Sequence, residues 1–338
     1  MTDDIRANAD SLERQMKMPS GVNRAELLNI VGPVLALLTV YGFFAIFVPS
    51  FRYAANIPNI ARQTTPVAIA ALGMTLVIIC AGIDLSVGSL IALGSVVIAW
   101  LLEYGHMDPL VAAVGGIAVC ALFGMLSGLI ITGLRVVPFI VTLGMMLLVR
   151  GIAMFIAREQ KIDTPYTWLT ELMAVLPAER KWMWFPPGVW IAIVLAVIVA
   201  VMLRYTRLGR HIFAVGSNEM TARLCGVSVS LVKVVVFTLS GVFAGIASLM
   251  YFSRLTVGDP SGGMGFELDV IAAVVIGGGS LSGGEGSVLG TLVGAGIMGV
   301  ILAGCQQMLL PSYVQMIVTG LIIIAAVALD RLRHRKTS

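Results

Sequence analysis

Charge is scarce in this chain. Only 12% of its 338 residues are Asp, Glu, Lys or Arg, against about 25% in soluble domains. That scarcity excludes an ordinary water-soluble globule and leaves little room for a separate soluble domain. Histidine is scarcer still, with three residues. His106, His211 and His334 fall in expected loops or the C-terminal tail, and no H-E-x-x-H pair is present. The sequence therefore offers no footing for an intramembrane metal hydrolase, and neither a catalytic residue nor a metal ligand is expected. The four cysteines, Cys80, Cys120, Cys225 and Cys305, share no metal-ligand spacing and are expected to be free thiols. No Gly-Lys pair occurs, so the G-x-x-x-x-G-K-[ST] phosphate loop is missing. Any ATP chemistry then belongs to another polypeptide, and no cofactor is expected on this one.

What the chain has is apolar length: 58% of its residues are hydrophobic, with a mean hydropathy of +0.98. The reading is an all-α polytopic membrane protein with about ten transmembrane helices, some short or broken. No cleavable signal is visible. Residues 1–29 read as a cytoplasmic tail with a short surface helix around Leu12–Met18, residues 30–329 as the membrane domain, and residues 330–338 as a basic cytoplasmic tail. Spans are expected at Ile30–Val48, Thr64–Cys80, Ser86–Leu102, Asp108–Leu134, Pro138–Ala157, Pro186–Leu203, Leu231–Phe252, Leu268–Gly279, Ser287–Gly304 and Tyr313–Leu329. Pro33 is expected in a first turn, and Pro49 and Pro58 bracket an outer loop. The eighth segment, Leu268–Gly279, would reach only about 18 Å as a helix. A bilayer core is about 30 Å thick.

Ten crossings return the chain to its starting side, and charge tests which side that is. With the N-terminus inside, the outer loops hold seven basic residues: Arg52, Arg62, Arg158, Lys161, Arg180, Lys181 and Arg254. Arg150 lies within a span, leaving fourteen of the 22 on the inner side. The positive-inside rule then favours two cytoplasmic termini. The net charge of +4 reflects this sorting and gives no reason to invoke nucleic acid. Arg150 is expected to have a structural role, reaching the bilayer surface or meeting an acid.

Asp84 interrupts one of the apolar runs, since Thr75–Cys80 before it and Leu90–Trp100 after it carry no charge. A carboxylate at that depth costs about 2.5–3.5 kcal/mol, so it must cap, pair or line water. Asp84 is expected to be the N-cap of the following helix, whether structural or lining a path. A second interruption, Gly277–Ser287, also follows a short apolar segment and precedes a Gly-rich helix. Leu85-Ser86 in the first break has its counterpart in Leu281-Ser282 in the second. Paired Gly-interrupted segments in two halves of a chain point to a transport site. The plainer alternative is a pair of tight turns. Candidates for shaping a pathway are Asp84, Ser86, Gly88 and Ser89 in the first break, and Gly278, Ser280, Ser282 and Gly283 in the second. Gln63, Thr142, Gln306 and Gln307 are expected to hold helices together, and Phe139, Phe237, Phe243 and Tyr251 to be packing residues or platforms on which a substrate could stack.

The third feature is the basic, inward loop Arg204–Ser230. Asn218 is a plausible N-cap there, with Met220, Leu224 and Val227 near one face of a short helix. Such a helix can dock in a partner's groove or lie on lipid. Leu281-Ser282-Gly283-Gly284-Glu285 spells something close to an ABC ATPase signature loop, but its apolar surroundings and the missing phosphate loop reject that reading.

Three motifs in order carry a resemblance: Gly82-Ile83-Asp84-Leu85-Ser86-Val87-Gly88-Ser89, the Asn218…Ala222…Gly226 loop, and Glu267-Leu268-Asp269 followed by Val275–Gly286. Together, from about Val31 to Leu329, the chain resembles the permease subunits of ribose-type sugar ABC importers. Pro138–Leu143 and the Thr164-Pro165 loop look most similar to one permease of a galactofuranose importer. The resemblance implies a bacterial inner-membrane protein that moves a monosaccharide by alternating access. It implies a second permease, identical or homologous, ABC ATPase partners that bind ATP and Mg, and a periplasmic sugar-binding protein. It also implies that Arg204–Ser230 supplies the coupling helix, with Gly209, Asn218, Ala222 and Gly226 as its key positions. The loop departs from the E-A-A-x-x-x-G pattern of other importers, because Glu219 is followed by Met220-Thr221. Two rivals stand beside this reading. An ion-coupled transporter would need titratable groups on its path, and only Asp84, Asp269 and Glu285 are candidates. A branched-chain amino acid permease would carry a zwitterion and ask for more charge.

Overall fold

A computed structural model describes residues 24–334. The expected surface helix at Leu12–Met18 lies outside the described residues. The described chain is helical, with a single two-stranded ribbon. In order, the α-helices are α1 (Arg24–Phe47), α2 (Asn56–Ile79), α3 (Val87–Glu103), α4 (Pro109–Leu134), α5 (Pro138–Ala157), α6 (Trp168–Glu171) and α7 (Pro187–Tyr205). They continue with α8 (Arg207–Ser217), α9 (Glu219–Leu224), α10 (Val229–Leu255), α11 (Phe266–Ile276), α12 (Val288–Gln307) and α13 (Ser312–His334). Strand β1 (Ile162–Asp163) pairs antiparallel with β2 (Val257–Gly258).

Each of the ten expected apolar segments forms a helix. Six of them, α2, α4, α5, α7, α10 and α12, are long and apolar enough to cross a membrane. Several boundaries move for physical reasons. Helix α1 begins at Arg24, so Pro33 sits inside it and not in the first turn. Helix α2 begins at Asn56, well before Thr64. Pro58 falls in its first turn, where the missing N–H has no intrahelical partner to lose. The polar residues that suggested a later start are satisfied by neighbours: Arg62 Nε donates to the Met173 carbonyl at 2.6 Å, and Gln63 to Gln306 at 2.8 Å. Gln307 in turn donates to Asn56 and bonds Ser50. These glutamines tie helix ends together, as expected.

Helix α2 is the axis of the fold. It packs against α10 on one side and α12 on the other, with α11, α7 and α8 completing its surroundings. It is 89% buried over its most apolar stretch, against 33%, 22% and 33% for α4, α5 and α7, which therefore form the outer shell of the chain. Helices α4 and α10 pack closely because small residues line the contact. A Cβ at Gly124 would lie 3.0 Å from the Gly241 Cα, and one at Gly128 would lie 2.8 Å from the Val234 Cα.

The eighth segment is shorter even than expected. Helix α11 has 11 residues, Phe266–Ile276, or about 16 Å. The stretch before it is not helical but is ordered against α3. Gly258 packs on α3 at Ser95, Val96 and Ala99, while Gly263 packs at Gly88 and Ile91. From Val96 to Gly88 is eight residues of helix, about 12 Å. An irregular strap thus runs along α3 before α11 begins.

Candidate functional site

The polar residues of the first break are enclosed by the chain, while Ala81 at its start is exposed. Asp84, Ser86 and Ser89 are each 0% exposed, and Gly88 is buried. Asp84 is not the N-cap of α3. Ser86 holds that position, without a side-chain cap of its own, because Gly82–Asp84 stay non-helical and delay the helix start. Asp84 instead closes the turn before it. One carboxylate oxygen accepts from the Ser86 amide at 3.0 Å and the Ser86 hydroxyl at 2.6 Å; the other accepts from Ser240 Oγ at 2.9 Å. Thr142 of α5 donates to the Ile83 carbonyl at 3.1 Å. The carboxylate thereby binds the break to α10, and Thr142 binds it to α5. Phe237, Phe243 and Tyr251 are buried in packing, while Phe139 is 45% exposed.

The two breaks touch. The Gly284 amide donates to the Ile79 carbonyl at the end of α2, at 2.8 Å. A Cβ at Gly283 would lie 2.6 Å from the Ala81 Cβ and 2.7 Å from the Gly216 carbonyl. Gly216, near the end of α8, packs directly on the Ile79 carbonyl, where any side chain would collide. One knot therefore joins the end of α2, the second break and the loop helices. Within the second break Ser280 is buried, Gly278 and Gly283 are half-buried, and Ser282 is exposed. Gly278 and Gly283 adopt positive φ, 91° and 85°, which fits the turn residues expected there.

The Arg204–Ser230 loop folds as two helices, where the sequence reading expected one. Thr206 Oγ1 accepts the Gly209 amide at 3.1 Å and starts α8. Gly209 packs against the Leu203 backbone, letting α8 turn sharply from α7. Leu208, Ile212 and Val215 face the core, and that helical spacing was present in the sequence as a signal. Asn218 caps α9 as expected, accepting the Thr221 amide at 2.9 Å. The far end of α9 is a Schellman turn: Val227 N–H donates to Ala222 and Gly226 N–H to Arg223, with Gly226 at φ +82°. Ala222 is buried at 4%, while Met220 and Leu224 are 70% and 82% exposed. The apolar face of α9 thus points away from this chain. Glu219 bonds Arg223 at 3.2 Å and Lys233 of α10 at 2.7 Å. The Lys233 ammonium holds the Glu219 carboxyl below its ordinary value.

Arg150 takes a structural role, bonding backbone carbonyls. Its Nη1 donates to the Pro260 and Gly262 carbonyls, at 3.0 and 2.6 Å, and holds the strap that precedes α11. Lys161 pairs with Asp259 at 3.1 Å, and β1 pairs with β2 beside it. One cavity lies apart from both breaks. It is an open groove of about 1110 Å³ between α3 and α5, lined by Val97, Leu101, Met154 and Phe155 among others. The four cysteines are free, with only Cys225 exposed. No cluster of metal-ligating residues occurs among the described residues.

A protein-family model described as "Branched-chain amino acid transport system / permease component" matches residues 56–327. The ribose import permease protein RbsC of Escherichia coli K12 is 41% identical over 297 residues, covering 88% of this chain and 92% of that protein. RbsC of Bacillus subtilis 168 is 39% identical over 306 residues, covering 90% and 94%. The D-allose transport system permease protein AlsC of E. coli K12 is 35% identical over 307 residues, covering 89% and 91%. No solved structure matches.

Proposed function

The chain belongs to the branched-chain amino acid transport permease family, and on that premise we propose that it is the membrane subunit of an ATP-driven monosaccharide importer. The family description names amino acids, but the relatives at 35–41% identity are ribose and allose permeases. The observation that carries the mechanism is the knot at Ile79, Gly216 and Gly284. A motor that grips α9 moves α8, and α8 rests directly on the end of α2 and on the second break. No bond chemistry is needed on this chain; its task is to open to each side in turn.

In this reading ten segments cross the inner membrane and both termini are cytoplasmic, with the strap and α11 together making the eighth crossing. Two ATPase domains bind ATP and Mg and seat on the exposed face of α9, where Asn218 and Gly226 shape the ends, Ala222 anchors the middle and Gly209 sets the approach. Asp84, Ser86, Gly88 and Ser89 act with Gly278, Ser280, Ser282 and Gly283 as the two hinges that shape the passage. A periplasmic binding protein delivers the sugar, and a second permease, identical or homologous, completes the pore.

The test is uptake of labelled ribose into vesicles holding the permease with its ATPase and binding protein. Uptake that needs ATP and survives a collapsed ion gradient supports the reading. Gradient-driven uptake without ATP would establish the ion-coupled rival, and uptake of leucine but no sugar would establish the amino acid rival. Galactofuranose, suggested by Pro138–Leu143 and the Thr164-Pro165 loop, is the second sugar to assay.

A further inference from the structure

We infer that the strap and first turn of α11, residues 261–268, line the water-filled passage, while the Asp84 break braces that passage from within the protein. This rests on the transport reading above and identifies the surface that the sugar passes.

Depth comes first. The strap runs along α3 from Val96 to Gly88, which places non-helical backbone within the thickness of the bilayer. Such backbone is tolerated in a membrane only where protein covers it or water reaches it. One side of the strap is covered by this chain: Gly263 lies on Gly88, and Arg150 holds the Pro260 and Gly262 carbonyls. The other side is not. Ser261 is exposed, and Met264 and Leu268 are 70% and 47% exposed. At Gly265, φ is +87° and a Cβ would meet nothing within 4 Å. This open irregular backbone cannot face lipid tails. The exposed faces of α4, α5 and α7 are regular apolar helix and can.

A broken crossing of this kind, an irregular half followed by a short helix, is the architecture in which membrane proteins place substrate paths. The polar side chains of the first break, Asp84, Ser86 and Ser89, are fully enclosed and offer a sugar no hydrogen-bonding surface; Ala81 alone in that break is exposed, with Ile83 and Leu85 half-buried. The role of this break is to fix the start of α3, the helix on which the strap lies.

The test uses the complete transporter with Cys225→Ser in the permease, which removes the one exposed thiol. Ser261→Cys and Met264→Cys are introduced singly and treated with a charged, water-soluble methanethiosulfonate reagent in each nucleotide state. Leu122→Cys, on the regular outer face of α4 and 47% exposed in wild type, is the control. The expected result is labelling of both strap cysteines in at least one nucleotide state, with loss of transport on labelling. Leu122→Cys should react only with a membrane-permeant maleimide. Strap cysteines that behave like Leu122→Cys, or that react with neither reagent in any state, overturn the proposal. Labelling is read without reference to any one sugar. A failure to carry ribose with the strap still labelled therefore counts against the sugar alone.

Discussion

At the scale of single residues, Asp84 shows how a carboxylate is kept inside an apolar protein. It accepts from two hydroxyls and one amide, so its oxygens are satisfied without a counter-ion. Ser240→Ala removes the bond that reaches across to α10. A buried acceptor left without its donor costs about 1–3 kcal/mol. The variant should insert but melt earlier in detergent, and an unchanged melting temperature would show that the bond contributes nothing. Gly226 obeys different physics. Its surroundings are open, so bulk alone is tolerated, but its φ of +82° penalises any side chain by about 1–2 kcal/mol. Gly226→Val should loosen the Schellman turn and weaken ATPase capture, measured by co-purification, while expression stays normal. Normal capture and transport would remove Gly226 from the docking role.

At the scale of elements, α9 and α10 are joined by the Glu219–Lys233 pair. Helix α10 carries Ser240 and, through it, Asp84. Charge reversal tests the joint: Glu219→Lys and Lys233→Glu should each lower transport per ATP hydrolysed, and the double reversal should restore it. Failure of the double variant to recover would make the pair incidental. The pair also has a pH signature. Lys233 depresses the Glu219 carboxyl, so the stabilisation is present above the ordinary carboxylate value and is lost as pH falls through the depressed one. Solvent screening keeps the effect small, since Glu219 is 45% exposed. Helix docking measured from pH 7 downward should therefore hold until the acid range. The second helix of this loop was legible in the sequence through Leu208, Ile212 and Val215, yet basic residues between them masked the period. The cap at Asn218 was legible because capping needs only a short local motif. Asp84 misled as a cap because Gly82–Asp84 delay the helix by two residues, a tertiary choice with no local signal.

At the scale of the whole molecule, periodicity and apolar length in the sequence located all ten helical segments. What stayed hidden was which helices contact each other. Helix α2 looks like any span, and only its neighbours α10 and α12, distant in sequence, show it to be the axis. The meeting of the two breaks at Ile79 and Gly284 is equally non-local, set by backbone contact that no motif records. The proposed orientation has a direct check in the native thiols. Cys225 is exposed while Cys80, Cys120 and Cys305 are buried, so an impermeant maleimide should label inside-out vesicles and leave intact cells unlabelled. Labelling in intact cells would put the α8–α9 region outside and exclude a cytoplasmic motor.

The enclosure of α2 also bears on how the protein is made. It is the least apolar of the six long helices, yet it is synthesised second, long before α10 and α12 leave the ribosome. For that interval the bilayer offers it little, and its eventual partners do not exist. Nascent chains halted after α5 should therefore keep α2 beside the translocon or a chaperone, detectable by photocrosslinking, and release it only once α12 has emerged.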